Sequence, residues 1–155
     1  INFAAVHRLP VLFVCENNIY ATHSPIWKRQ PARTVVERVR PHGLKTFLIR
    51  DGNDVLEIHA ASAEARSSAR NGQPVFMEVP TYRFKEHWGV GDDSHLGYRS
   101  RAEIEARIAA DPLRVWRHRV TDVEAMEREI RTEIDNATTW ALESPKPHPA
   151  KGENI

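Results

Sequence analysis

The residues best suited to chemistry form a polar cluster directly after an apolar run. Residues 11–15 read Val-Leu-Phe-Val-Cys, and residues 16–20 read Glu-Asn-Asn-Ile-Tyr. The apolar run follows Pro10 and contains β-branched and aromatic residues, so it predicts a strand that is buried on both faces. Ligands of open α/β sheets lie beyond the carboxyl ends of such strands. Asn17 and Asn18 are therefore candidate ligands, because neutral amide oxygens suit a hard cation such as Mg²⁺.

The same two asparagines also have a purely structural interpretation. Asn adopts turn conformations readily, and its side chain often bonds to the backbone two residues further on. Spacing alone favours such a turn, and both interpretations stay open at this point.

A second candidate is the polar, glycine-rich segment at residues 87–95, which reads His-Trp-Gly-Val-Gly-Asp-Asp-Ser-His. Its two histidines and two aspartates do not have the spacing of a zinc site. We interpret the segment as a mobile lid beyond a predicted strand, in which His87 serves as a proton-transfer or hydrogen-bonding group near neutral pH. A solvated surface loop is the alternative.

The elements that must position these residues alternate between strand and helix. Apolar runs predict strands at residues 11–15, 45–50 and 74–79, and an alanine-rich helix at residues 54–70 precedes the third strand. Asn53 or Asp54 is the expected cap of that helix, with Glu57 completing a capping box from Asp54. Alternation of this kind implies a parallel, doubly wound α/β sheet with helices on both faces.

Three helices are predicted after the glycine-rich segment. Their start signatures are Ser100 with Glu103, Asp111 with Pro112, and Thr121 with Glu124. The last helix carries one apolar stripe, for which packing on the body is favoured over packing on a partner chain. The stripe contains Val123, Met126, Ile130, Ile134, Ala137 and Ala141. We expect residues 1–143 to form one domain portion and residues 144–155 a loose tail.

Composition limits the classes of function. The chain has 155 residues, 41% of them hydrophobic, and a net charge of +1, which indicates a globular protein that binds neither nucleic acid nor membrane. The single cysteine, Cys15, excludes an internal disulfide and fits a reducing compartment, so we expect the cytoplasm. Residue 1 is not methionine, and residues 1–10 are typical of the last turns of a helix that leads into a strand, so we expect the chain to begin inside a domain.

Five segments in a fixed order resemble one family, the alpha subunit of the thiamine-diphosphate-dependent 2-oxo acid dehydrogenases (pyruvate, branched-chain and acetoin type). The resemblance covers residues 1–141. The segments are Leu-Pro-Val-Leu-Phe-Val-Cys-Glu-Asn-Asn-Ile-Tyr at 9–20, Asp-Gly-Asn-Asp at 51–54, Pro-Thr-Tyr-Arg-Phe-Lys-Glu-His at 80–87, Gly-Tyr-Arg-Ser-Arg-Ala-Glu-Ile at 97–104 and Asp-Pro-Leu at 111–113.

The resemblance implies roles for three residues. Asn18 would bind Mg²⁺ through its side chain and Tyr20 through its backbone carbonyl, so that the metal holds the diphosphate of thiamine diphosphate. His87 would lie near the diphosphate and assist transfer to a lipoyl acceptor. The implied partners are a beta subunit in an α2β2 assembly, a lipoyl-bearing acyltransferase and a small 2-oxo acid.

The sequence also departs from the family pattern. Trp88 follows His87 where regulated mitochondrial relatives carry a phosphorylated serine, which argues against that regulation. The family's Gly-Asp-Gly segment, which supplies the other half of the metal site, does not occur in the chain. We therefore expect a carboxyl-terminal portion of a longer subunit that is inactive alone. The alternatives are a non-catalytic α/β binding or assembly module and a transketolase-like carbon-carbon bond enzyme.

Overall fold

The computed structural model describes residues 1–146 and contains two compact units, residues 1–114 and residues from 115 onward. The strands of the first unit are β1 (Leu12–Asn17), β2 (Tyr20–Ala21), β3 (Ser24–Pro25), β4 (Lys45–Leu48) and β5 (Val75–Pro80). Its helices are α1 (Asn2–Val6), α2 (Ile26–Arg29), α3 (Val36–Val39), α4 (Val55–Arg70) and α5 (Arg101–Ala109), and α6 (Pro112–Trp116) follows. Short 3₁₀ turns occupy Arg40–His42, Ser94–Leu96 and Arg117–Arg119.

The main sheet has the order β1-β5-β4, and both pairings are parallel. Leu12 of β1 and Lys45 of β4 both lie opposite Val75 of β5. Parallel pairing is thereby confirmed. Strand β5 is the central strand, and five of its six residues are buried, as expected for a strand with neighbours on both sides.

Helices cover both faces of this sheet, which confirms the doubly wound α/β prediction. On one face, Phe76 packs with residues of α3 and with Leu44. On the other, Val75 packs against Ala65 and Ala69 of α4, whose small side chains allow close approach of helix and strand. The prediction that the first strand is buried on both faces is wrong, because β1 lies at an edge of the sheet and Val14 is 54% exposed.

The turn from β4 into α4 is held by two side chains. Of the two predicted candidates, Asp54 and not Asn53 caps α4, by accepting from Leu56 N (3.0 Å) and Glu57 N (3.2 Å). The predicted capping box is wrong, because the Glu57 carboxylate instead accepts from the backbone N–H groups of Arg50 (3.1 Å) and Asp51 (3.4 Å). Glu57 thereby fastens the end of β4 to the helix.

Among the carboxyl-terminal helices, α5 starts as predicted, with Ser100 Oγ accepting from Glu103 N at 3.1 Å. The start of α7 (Val123–Glu143) differs from the prediction. Asp122, not Thr121, is the N-cap residue; it has a left-handed backbone (φ 56°) and makes no side-chain cap hydrogen bond. N-cap residues whose side chains bond to the first-turn amides typically have a β-region backbone instead.

The apolar stripe predicted for the last helix lies along α7, and its side chains are largely exposed in the described chain. Met126, Ile130 and Ile134 are 46%, 51% and 59% exposed. Helix α7 ends at Glu143, and residues 147–155 of the predicted tail lie outside the described residues. Within residues 1–146, no helix combines the length and apolar character that crossing a membrane requires.

Candidate functional site

The candidate ligands lie in a tight turn at the carboxyl end of β1, which we call the asparagine turn (residues 17–20). Asn17 Oδ1 accepts from Ile19 N at 2.8 Å, and Asn18 Oδ1 accepts from Tyr20 N at 3.1 Å. Ile19 between them has a left-handed backbone, with φ 61°. Each amide oxygen has a second lone pair, so shaping the turn does not prevent Asn18 from binding a cation.

A buried carboxylate on the central strand β5 is hydrogen-bonded to this turn. Glu78 is 2% exposed; its Oε1 accepts from Asn17 Nδ2 at 2.6 Å and its Oε2 from Val36 N at 2.8 Å. Burial, and then the neighbouring Glu78 carboxylate, raise the pKa of the Cys15 thiol. Glu78 therefore joins β5 to the end of β1 and to the start of α3.

The side chain of Tyr20 fastens the other end of the turn to α5. Its hydroxyl lies 3.0 and 3.2 Å from the two carboxylate oxygens of Glu103 and donates to that carboxylate. Its ring meets the ring of Tyr98 edge-on, with centroids 5.4 Å apart. Burial, followed by the hydrogen bond to Glu103, raises the pKa of Tyr20 to about 12. The phenol is therefore neutral at any physiological pH.

His87 lies on a short exposed loop beyond β5, at residues 86–91. The backbone of Glu86 closes this loop by donating to Gly91 O at 3.1 Å. A Cβ on Gly91 would lie 2.7 Å from the Glu86 carboxylate, so the absence of a side chain lets that carboxylate fold over the loop. His87 and Trp88 are exposed at its tip.

The carboxyl-terminal base of this loop is a buried ion pair. Asp93 is 2% exposed, and its carboxylate accepts a hydrogen bond from Tyr98 Oη at 2.7 Å. The same carboxylate forms a short salt bridge with Arg99. Arg99 also donates a hydrogen bond to the backbone oxygen of Arg83 at 2.5 Å. Burial alone would raise the pKa of Asp93, but the hydrogen bond from Tyr98 and the pairing with Arg99 outweigh it, and the net shift is downward. We call Arg83, Asp93, Tyr98 and Arg99 the loop anchor.

The structure thus brings Asn18 and Tyr20 together in one turn. Among residues 1–146 it records no hydrogen bond or ring contact between that turn and His87, and no cluster of three or more His, Cys, Asp or Glu arranged to hold a metal ion. An amide oxygen and a backbone carbonyl fit Mg²⁺ as part of its six-oxygen shell, with phosphate oxygens supplying others.

Sequence reasoning missed Glu78, Glu103 and the loop anchor. For Glu78 a signal was present, since it is the single charged residue of the strand Val-Phe-Met-Glu-Val-Pro, and a buried polar residue is more informative than a buried apolar one. Glu103 was identified only as part of a helix-start signature. Its contact with Tyr20 spans 83 residues and has no local pattern.

Comparisons with known proteins agree with this architecture. The family model described as dehydrogenase E1 component matches residues 1–150. The chain is 38% identical to the 2-oxoisovalerate dehydrogenase subunit alpha of Bacillus subtilis (83% of this chain, 38% of the relative). It is 40% identical to the pyruvate dehydrogenase E1 component subunit alpha of the same organism (68% of this chain, 28% of the relative).

A human relative matches nearly the whole chain. The mitochondrial, testis-specific form of the pyruvate dehydrogenase E1 component subunit alpha is 34% identical, over 95% of this chain and 39% of the relative. The chain spans less than two-fifths of the length of each of these three relatives. Their names describe alpha subunits of dehydrogenases that act on 2-oxo acids, and the family model describes the dehydrogenase E1 component. The chain therefore belongs to the dehydrogenase E1 component family.

Proposed function

We propose that this chain is part of the alpha subunit of a thiamine-diphosphate- and Mg²⁺-dependent dehydrogenase. The whole enzyme decarboxylates a 2-oxo acid and passes the acyl or aldehyde unit to a lipoyl acceptor. The observation that carries the proposal is the asparagine turn, in which Asn18 and Tyr20 lie just beyond the carboxyl end of a parallel strand in a chain of this family. Family membership favours this function over the binding module and the transketolase-like enzyme.

The chain's residues have distinct tasks in this proposal. Asn18 Oδ1 and Tyr20 O would hold the metal ion that binds with the cofactor, and Glu103 keeps the Tyr20 side chain in place. Bound thiamine diphosphate supplies the electron sink that lets a 2-oxo acid lose carbon dioxide. His87, on its exposed loop, donates a hydrogen bond or a proton during transfer to the acceptor.

The proposed partners are a beta subunit, forming an α2β2 assembly, and a lipoyl-bearing acyltransferase. The names of the relatives support the first of these, since they describe alpha subunits. The cytoplasm is the proposed compartment, because Cys15 is the single cysteine of the sequence and the chain therefore forms no internal disulfide.

Two variants of the full-length subunit, assembled with its partner, test the two halves of the proposal. Asn18→Ala removes a metal ligand, so it weakens Mg²⁺-dependent binding of thiamine diphosphate by about 100-fold in calorimetry. His87→Ala leaves that affinity within about twofold and slows transfer to a lipoyl acceptor by about 100-fold.

Each variant is the control for the other. Unchanged cofactor affinity in Asn18→Ala would contradict the ligand assignment. An unchanged transfer rate in His87→Ala would contradict the role of the loop.

A further inference from the structure

Glu78 is an unusual residue for the centre of a parallel sheet. A carboxylate buried without partners costs several kcal/mol, and the cost is offset only when donors surround it. Glu78 has two such donors, Asn17 Nδ2 at 2.6 Å and Val36 N at 2.8 Å, on segments that are far apart in sequence. Neither of its oxygens belongs to the proposed metal shell.

The contact with Asn17 determines how that amide is oriented. Because Nδ2 points to the Glu78 carboxylate, Oδ1 on the opposite side of the amide faces Ile19 N, 2.8 Å away. That second bond holds Ile19 at φ 61°, a left-handed backbone that is unfavourable for a β-branched residue. If the Asn17 amide were rotated by 180°, its Nδ2 donor would face the Ile19 N–H donor. Its Oδ1 acceptor would then face the acceptor oxygen of Glu78.

The orientation of Ile19 in turn sets the positions of its neighbours. Asn18 and Tyr20 flank Ile19, and the Asn18 side chain bonds across it to Tyr20 N. A change in the backbone of Ile19 would therefore move both proposed ligand oxygens at once.

We propose that Glu78 is a positioning residue for the asparagine turn, and that the affinity of Asn18 and Tyr20 for their metal depends on its carboxylate. This inference rests on the proposed function, since it takes Mg²⁺ with thiamine diphosphate as the ligand. Groups that orient metal ligands through hydrogen bonds typically change metal affinity 10- to 100-fold when they are replaced.

The hydrogen-bonded pair of Asn17 and Glu78 can be tested by exchanging the amide and the carboxylate between the two positions. In Glu78→Gln, one of the two donors, Asn17 Nδ2 or Val36 N, faces the new amide nitrogen and loses its acceptor. In Asn17→Asp, two carboxylates face each other. In the double variant, the new amide at position 78 donates through its nitrogen to the new carboxylate at position 17 and accepts through its oxygen from Val36 N. The second oxygen of that carboxylate accepts from Ile19 N, so every hydrogen bond and the net charge of the pair are restored.

The measurement is the Mg²⁺ concentration that half-saturates thiamine diphosphate binding, determined by calorimetry on the full-length subunit with its partner. We expect each single variant to raise it about 10- to 100-fold, and the double variant to return it to near the wild-type value. A second readout needs no metal: hydrogen exchange at the Ile19 and Tyr20 amides should accelerate in the single variants and recover in the double variant.

Met77→Leu is the matched control. Met77 is next to Glu78 on β5 and is equally buried, at 2% exposed, but its side chain faces the opposite side of the sheet. Leucine has nearly the same volume as methionine, so the substitution disturbs the core little. It should leave the half-saturating concentration unchanged. If Glu78→Gln does not fold, Asn17→Ala, which leaves Glu78 bonded to Val36 N, provides the same comparison.

Unchanged half-saturation in folded Glu78→Gln, or in Asn17→Ala when it is used instead, would overturn the inference. A double variant as weak as its parents would overturn it as well. These outcomes are distinct from failure of the proposed function, in which Asn18→Ala itself would bind normally.

Discussion

At the scale of single residues, Gly52 shows how closely the site elements approach one another. It lies in the turn between β4 and α4, and a Cβ at this position would lie 1.6 Å from the carbonyl oxygen of Pro80 at the end of β5. The atom in the way belongs to the backbone of the central strand, so a side chain cannot be accommodated by rotating a neighbour.

Gly52→Ala is therefore expected to destabilise the protein by roughly 3 kcal/mol or more, since either the turn or the strand end must move. Urea unfolding of the full-length subunit measures this. Gly89→Ala is the control, because its Cβ would meet only the flexible carboxylate of Glu86, at 3.2 Å. Equal unfolding free energies of the two variants would contradict the prediction, because they would mean that the backbone at Pro80 moves aside at little cost.

At the scale of elements, the loop anchor holds the segment between β5 and α5. Asp93 and Arg99 are both almost fully buried, so removing one charge leaves the other without a partner. Asp93→Asn is expected to cost about 3 kcal/mol of unfolding free energy. Glu105→Gln is the control: it breaks the exposed pair with Arg101, which is worth less than about 1 kcal/mol.

The pH dependence of the anchor follows from the lowered pKa of Asp93. The pKa of an unfolded aspartate is about 3.9, so the stabilising contribution of Asp93 is fully present above that pH. It declines as pH falls towards the folded pKa. Wild type should lose stability below about pH 4 more steeply than Asp93→Asn, and parallel curves would contradict the assignment.

The sequence predicted elements far better than it predicted the contacts between them. Parallel strands, the Asp54 cap and the Ser100 cap were predictable, because hydrophobic runs and capping residues act within a few positions of the chain. Glu57 was assigned to a local capping box, yet it bonds to backbone groups at the end of β4. Glu78 and Glu103 act over 61 and 83 residues, and only the folded arrangement of strands reveals such partners.

At the scale of the whole molecule, apolar surface is exposed in both units. In the sheet, Val14 of β1 and Leu48 of β4 are 54% and 48% exposed on edge strands. In α7, the stripe that includes Ile130 and Ile134 is about half exposed. Exposed strand edges and apolar patches of this kind favour association between chains.

The 155-residue chain produced alone is therefore expected to self-associate in sedimentation velocity experiments. Replacing Ile130 and Ile134 with Glu should shift the distribution towards monomer, because both lie on the apolar face of α7. Thr132→Glu with Asn136→Glu is the control, since these residues have the same spacing and charge change but lie on the opposite face. A monomeric wild-type chain would contradict the expectation.

The central position of β5 also bears on the order in which the protein forms during synthesis. Within the described sheet, β1 and β4 are hydrogen-bonded to β5 and not to each other, although both precede it in the chain. Neither can form a ladder in this sheet until the ribosome has released β5, and long-range pairing of this kind is slow. Until then, β1 and β4 have been synthesised but their shared partner strand has not. The time from the end of β4 to the end of β5 is set by the speed at which residues 49–80 are translated.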